Sequence, residues 1–161
     1  MNGPLPFQAA ALPRHQIKVS LFAALICIAF LCNGTQAKDN AQPKLQTVTL
    51  TINSNHLKTE IARTGQQRYM GLSFRTQMAQ DEAMLFVYEQ EQPLIFTMRN
   101  TLIPLSIAFI SKEFKINEIV DMPVGATHNF PSAKPAQYAL EVNQGWFEQN
   151  GIGVGAQITM Q

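Results

Sequence analysis

The side chains with the most chemistry to offer stand together as Arg99-Asn100-Thr101, inside FTMRNTLIPLSIAFI over residues 96–110. A guanidinium, an amide and a hydroxyl lie between two runs that want to be buried. Guanidinium is the side chain best shaped for a bidentate grip on a carboxylate or phosphate. The adjacent amide and hydroxyl add directional donors and acceptors. Arg68 and Arg75 extend the set. They are two helical turns apart and would share a side if a helix reached that far, against which Gly71 and Ser73 weigh. A structural use of the same residues competes. Asn100 can form an Asx turn that reverses the chain before Pro104, and Arg99 can pair with an internal acid such as Glu141, half-buried in YALEV. The triplet therefore reads as a chain reversal and polar anchor first. Its second reading is a ligand-contacting cluster of Arg68, Arg75, Arg99, Asn100 and Thr101, with Glu141 as structural partner.

Other chemistries find less footing. Ser54, Ser73, Ser106, Ser111 and Ser132 are the serines beyond the N-terminal region, and none lies in a Gly-x-Ser-x-Gly elbow. His56 and His128 are far apart and lack the spacing of a metal motif, so no metal and no cofactor is expected. Asp81-Glu82 and Glu89-x-Glu91 read as solvated pairs in polar segments. With no locally activated nucleophile, binding is favoured over catalysis.

Positioning these residues falls to short strands. QTVTLTI alternates Val48, Leu50 and Ile52 with threonines, the period of a half-buried strand, and Asn53-Ser54-Asn55 turns it into a partner over Leu57 to Ala62. Thr64 stands three residues before Gln67, the capping-box spacing, so a short helix is expected from Thr64 to about Leu72. Its predicted inward residues are Tyr69, Met70 and Leu72, and Gly71 stops it. Further strands are expected at residues 83–88, 95–98, 105–110, 115–122 and 137–142. GWFEQNG is a helical turn whose Trp146 and Phe147 close the core, and QITM is a last strand. The predicted class is mostly β, an antiparallel sandwich (jelly-roll-like) or a partly closed barrel with two short helices. The intervals are too short for repeated βαβ crossovers.

The N-terminus has a different texture. Arg14 and Lys18 precede the uncharged run VSLFAALICIAFLC, and Thr35-Gln36-Ala37 offers a small-residue cleavage site. That is the pattern of a secretory signal peptide over residues 1–37. The run is shorter than the roughly 20 apolar residues that span a bilayer, so no stable membrane span is expected after cleavage. The expected mature chain is exported, periplasmic or extracellular. It has 124 of the 161 residues and neither cysteine, because Cys27 and Cys32 leave with the leader. Losing Arg14 and Lys18 takes 12 basic residues to 10 against 11 acidic ones, a net of −1. Nothing there favours nucleic acid as a partner. Residues 38–45 read as a flexible tether and residues 46–161 as one β domain.

RYMGLSFR, AMLFVY, FTMRNTLIPLSIAFI and YALEVNQGWFEQNGI, in this order and spacing, resemble the domain of unknown function 192 family of mostly bacterial and archaeal proteins. The most specific block is Phe96, Met98, Arg99, Asn100, Thr101, Pro104 and Leu105. The resemblance implies a compact mostly-β domain and brings no activity. The family usually places acids where this chain has Ser106 and Ala156. The expected function is that of a non-enzymatic module for a small anionic or hydroxyl-rich ligand. An envelope-acting hydrolase and an assembly partner of envelope proteins are the alternatives.

Overall fold

A computed structural model describes Gly3 and residues 40–161. The predicted leader over residues 1–37 and its cleavage point lie outside the described residues, Gly3 aside. Strand β1 (Thr47–Ile52) turns through Asn53, in the left-handed region at φ 53°, into β2 (Asn55–Ala62). Helix α1 (Gly65–Met70) follows, then β3 (Glu82–Gln92), β4 (Ile95–Phe96), β5 (Leu105–Ile110) and β6 (Ile116–Met122). The chain closes with β7 (Phe130–Pro131), β8 (Ala136–Asn143), α2 (Trp146–Gln149) and β9 (Ile158–Met160).

The mostly-β expectation holds, with two short helices among the described residues. The layering differs from a sandwich. Seven strands form a single curled sheet, a half-barrel in the order β6-β5-β8-β3-β2-β1-β9, and β4 and β7 make a separate two-stranded ladder. The sheet is not wholly antiparallel either, because β2 and β3 run parallel from Lys58 opposite Glu82 to Ala62 opposite Phe86. The connection between Ala62 and Glu82 is long enough for one crossover, and α1 lies in it. Sequence spacing excluded repeated crossovers but did not reveal this single one.

Both faces of the sheet are buried, each against a different set of residues. On one face Leu50, Ile61, Leu85, Ala108 and Leu140 pack with Trp146 and Phe147 of α2, as expected for that aromatic pair. On the other, Met84, Phe86, Ile107 and Phe109 pack with Leu72, Phe96 and Met98. Phe96 meets Phe86 edge-on at 4.9 Å and Phe109 at 5.9 Å, which pins β4 and the Arg99 turn over the sheet. Pro104 lies just before β5, where its missing N–H costs no ladder bond. Beyond it Leu105, Ile107 and Phe109 take one face while Ala108 and Ile110 take the other.

Two local expectations change. Tyr69 is not an inward residue of α1 but is 71% exposed. The helix buries none of its residues, and the chain turns at Gly71 (φ 47°) so that Leu72, beyond the helix, supplies the core contact. The tether reading also stops short of the domain. Gln42 donates its amide to the carbonyls of Gln67 (3.2 Å) and Gly71 (2.7 Å), and the Leu45 N–H donates to the Glu60 carboxylate at 2.7 Å. Residues 42–45 thus lie along the domain, held at the C-terminal end of α1.

Candidate functional site

A cleft of about 440 Å³ opens on the sheet face that carries Phe86, between the end of α1 with its following loop and the residue 95–101 segment. Four groups define its chemistry: Arg68 from α1, Tyr88 from β3, Arg99 with Asn100 and Thr101 from the turn, and Glu141 from β8.

Arg68 is placed by the helix cap. Thr64 Oγ1 accepts from the Gln67 N–H at 3.1 Å, and Gln67 Oε1 accepts from the Thr64 N–H at 3.0 Å, the predicted box with both bonds formed. This fixes a helix of six residues whose last turn aims Arg68 across the sheet. Its Nη1 donates to the carbonyls of Arg63 and Val87, and its guanidinium carbon lies 4.6 Å from the Tyr88 ring centroid. Arg99 is held in the same way by a different tyrosine. Its Nη2 donates to Tyr69 Oη at 2.8 Å, with the guanidinium carbon 5.5 Å from that ring. A guanidinium over a tyrosine face is attracted by the ring quadrupole yet keeps its edge donors for another acceptor.

The turn beneath Arg99 is a reversal, as its residue types predicted. Thr101 N–H donates to the Met98 carbonyl at 3.0 Å, and Asn100 adopts φ 62°, a conformation asparagine tolerates. The Asn100 carbonyl accepts from Phe74 N–H at 2.7 Å, and Phe74 itself sits at φ 63°. A bulky side chain there is strained by about 1–3 kcal/mol and persists only where its surroundings hold it. Gly71 is required beside it: at φ 47° a Cβ would meet the Phe86 ring at 3.3 Å.

Arg99 does not pair with Glu141. The arginine is exposed and bound to Tyr69, while Glu141 is only 5% exposed, between Met84 and Ile107 in adjacent strands. The Glu141 carboxyl makes no hydrogen bond or ion pair among the described residues. Because no fully enclosed side-chain polar atom among the described residues lacks a partner, its oxygens open into the cleft it lines. Burial pushes its pKa up to about 8, so the carboxyl holds its proton at neutral pH. Burial also raises the Tyr88 phenol, opposed by the positive charge of Arg68 and assisted by the carboxyl of Glu141. Glu141 therefore moves from structural partner to cleft residue.

Arg75 leaves the predicted cluster. The helix ends at Met70, before a second turn could align it with Arg68, and the loop carries it to Glu60. There Nη1 and Nη2 reach Oε1 and Oε2 at 2.5 and 2.8 Å, with both side chains buried. The acid position that the resemblance makes notable, Ser106, lies on the opposite face of the sheet. Its hydroxyl donates to Asp121 on β6 at 2.5 Å and accepts from the Gly145 N–H at 2.9 Å, tying the sheet to α2. Phe74 and Tyr88 were not legible as site residues. Nothing in a run of strand-formers marks the ring that backs an arginine, and no local motif announces a left-handed phenylalanine. Among the described residues no group of three or more His, Cys, Asp or Glu is arranged to hold a metal ion.

The profile of the domain of unknown function 192 family, described as an uncharacterized ACR, matches residues 48–160. No curated protein gives a significant match. Among solved structures, a Sinorhizobium meliloti 1021 protein described provisionally as a transcription regulator is similar at 28% identity and TM-score 0.71, over 74% of this chain and 97% of that one. A Novosphingobium aromaticivorans DSM 12444 protein of unknown function is similar at 30% identity and TM-score 0.66, over 75% of this chain and 94% of that one.

Proposed function

The chain belongs to the domain of unknown function 192 family of uncharacterized proteins, and from that premise, which carries a fold but no activity, we propose that it is a non-enzymatic module binding a small anionic or hydroxyl-rich ligand. The observation that carries this reading is the pair of tyrosine-backed guanidiniums, Arg68 on Tyr88 and Arg99 on Tyr69, at one cleft. Each arginine is held in place by a single guanidinium nitrogen, Nη1 or Nη2, and retains donors that no acceptor among the described residues takes. Preoriented donors of this kind suit a carboxylate or phosphate group. Ser73 and Thr101 line the same cleft with hydroxyls, and the volume suits a small organic molecule.

In this reading residues 1–37 act as a leader and the cleft works outside the cytoplasm. The mass of the exported form, expected to begin at Lys38, tests that part. A nucleic-acid role, which the description of the Sinorhizobium protein would bring, has little electrostatic support in a chain of 12 basic and 11 acidic residues.

The direct experiment is a thermal-shift and calorimetric titration of the purified protein against sugar acids, organic acids and phosphates, since binding to the native state raises its melting temperature. The double variant Arg68→Ala/Arg99→Ala is expected to keep the native circular dichroism and lose at least tenfold in affinity. Absence of any response across the panel, or a response that the double variant retains, rejects the anion site.

A further inference from the structure

Glu141 gives the cleft a second, chemically different end. It lies in a row of four side chains across adjacent strands, Glu60–Met84–Glu141–Ile107, on the sheet face that the cleft opens onto. Two of the four are buried glutamates, and the fold treats them differently. Glu60 receives both nitrogens of Arg75 and a backbone N–H from Leu45. Glu141, equally enclosed, receives nothing from the other described residues and faces the cleft.

The groups around Glu141 explain what it can offer. Arg68 comes from α1, Tyr88 from β3, and Arg99 and Thr101 from the turn; β5 presents Ile107. The Glu60–Arg75 pair is one strand beyond Met84, and each arginine of the cleft is engaged with a tyrosine. No cation among the described residues pairs with Glu141. A buried carboxyl without a counter-charge keeps its proton, and a protonated carboxyl is a hydrogen-bond donor to a neutral oxygen. An anion brought to Arg68 and Arg99 adds negative potential and holds that proton more firmly.

Resting on the anion site proposed above, we infer that the ligand is a hydroxylated monoanion, such as a sugar acid or a hydroxy acid. Its charge lies on Arg68 and Arg99, and a neutral hydroxyl or carbonyl oxygen accepts a hydrogen bond from the protonated carboxyl of Glu141. Two consequences follow from the chemistry. A ligand with a second negative charge at the Glu141 end is disfavoured, because no cation among the described residues offsets the loss of water from that charge. Binding also takes a proton with it wherever Glu141 is ionised in the free protein, so affinity falls as pH rises above about 8.

The test uses glucuronate, galacturonate and gluconate as hydroxylated monoanions, with glutarate and inorganic phosphate as comparison anions. Titrations of the purified protein run from pH 6.5 to pH 9.5. At least one sugar acid is expected to bind at pH 6.5 more tightly than glutarate or phosphate. Its affinity should fall by roughly tenfold per pH unit above about pH 8. Calorimetry at pH 8.5 in two buffers of different ionisation enthalpy should show net proton uptake. Glu141→Gln keeps a neutral donor of similar shape but has no proton to lose, so its sugar-acid binding should show neither the fall above about pH 8 nor proton uptake. Anion binding that needs Arg68 and Arg99 but is independent of pH, or is unchanged in its pH profile by Glu141→Gln, overturns the role of Glu141 and leaves the anion site standing. Equal or tighter binding of glutarate also overturns it. Failure of every anion to bind at pH 6.5 rejects the site and this inference together.

Discussion

Glu60 and Glu141 flank the same methionine, Met84, on the same face of the same sheet. Both are almost fully buried, at 4% and 5% exposed. They differ in what the neighbouring loop supplies. At Glu60, burial alone would raise the carboxyl, but the Arg75 hydrogen bonds, the Leu45 N–H and the charges of Arg75 and Lys44 outweigh it and hold the pKa below its ordinary value. At Glu141 burial acts unopposed and lifts the pKa to about 8. Adjacent strands are about 4.8 Å apart, so two opposite outcomes are set roughly 10 Å from each other. The difference shows that burial alone does not decide the state of a carboxyl; the hydrogen bonds and counter-charge within reach of it can reverse the shift. It also separates roles. The paired acid ties the crossover loop to the sheet, whereas the other, without a counter-charge among the described residues, costs stability and faces the cleft.

The largest effect expected from breaking this contrast is at Arg75. Arg75→Ala leaves Glu60 buried without its partner and should lower unfolding free energy by about 3–5 kcal/mol. Chemical denaturation measures it. Replacing both members with leucine should recover much of that loss, because a buried pair is often matched by apolar residues of similar volume. If Arg75→Ala is nearly neutral, the pair is not a fold anchor and the comparison fails on that side.

The next effect has the opposite sign. The folded pKa of Glu141 is about 8 against an ordinary 4.5, so the folded state holds a proton that the unfolded state releases between those values. Stability from this group is complete below about pH 4.5, declines as pH rises towards 8, and is level beyond. Glu141→Gln removes the liability and should stabilise the protein by about 3 kcal/mol at pH 7, with almost no change near pH 4.5. Glu60 works in reverse. Its lowered pKa gives stability that is present above the ordinary 4.5 and is lost as pH falls below it. Denaturation of the parent and of Glu141→Gln from pH 4 to pH 9 reads both limbs. Parallel profiles for the two proteins would remove the distinction between the glutamates.

The smallest effect is expected at the cleft mouth. Arg99 is exposed and bound to one phenol, so Arg99→Ala should cost about 0.5–1 kcal/mol in thermal unfolding. A loss near that of Arg75→Ala would mean that Arg99 anchors the fold after all.

Part of this arrangement was legible in the chain. The capping box at Thr64 and Gln67 formed as its spacing required, and the Asn100 reversal and Pro104 boundary lie where those residue types place them. Each depends on neighbours within a few residues. The pairing of acids and bases did not follow. Glu141 stood out as a charge in an apolar strand, but Arg99 was its wrong partner and Arg75 was assigned to the wrong set. Glu60, in LKTEIA, carried no mark that set it apart from an outward residue.

By itself the sequence determined the mostly-β class, nearly all of the strand and helix positions, the family and the presence of three arginines near its most specific block. Alternation, caps and turn residues act over a few bonds, and they leave the same trace in any fold that uses them. Only the tertiary structure decided that β2 and β3 run parallel, that the crossover loop carries Arg75 to Glu60, and that Arg68 and Arg99 each rest on a tyrosine. The same is true of the solitude of Glu141. A counter-charge acts through space and depends on where separate loops settle on the sheet, and no spacing along the chain encodes that distance.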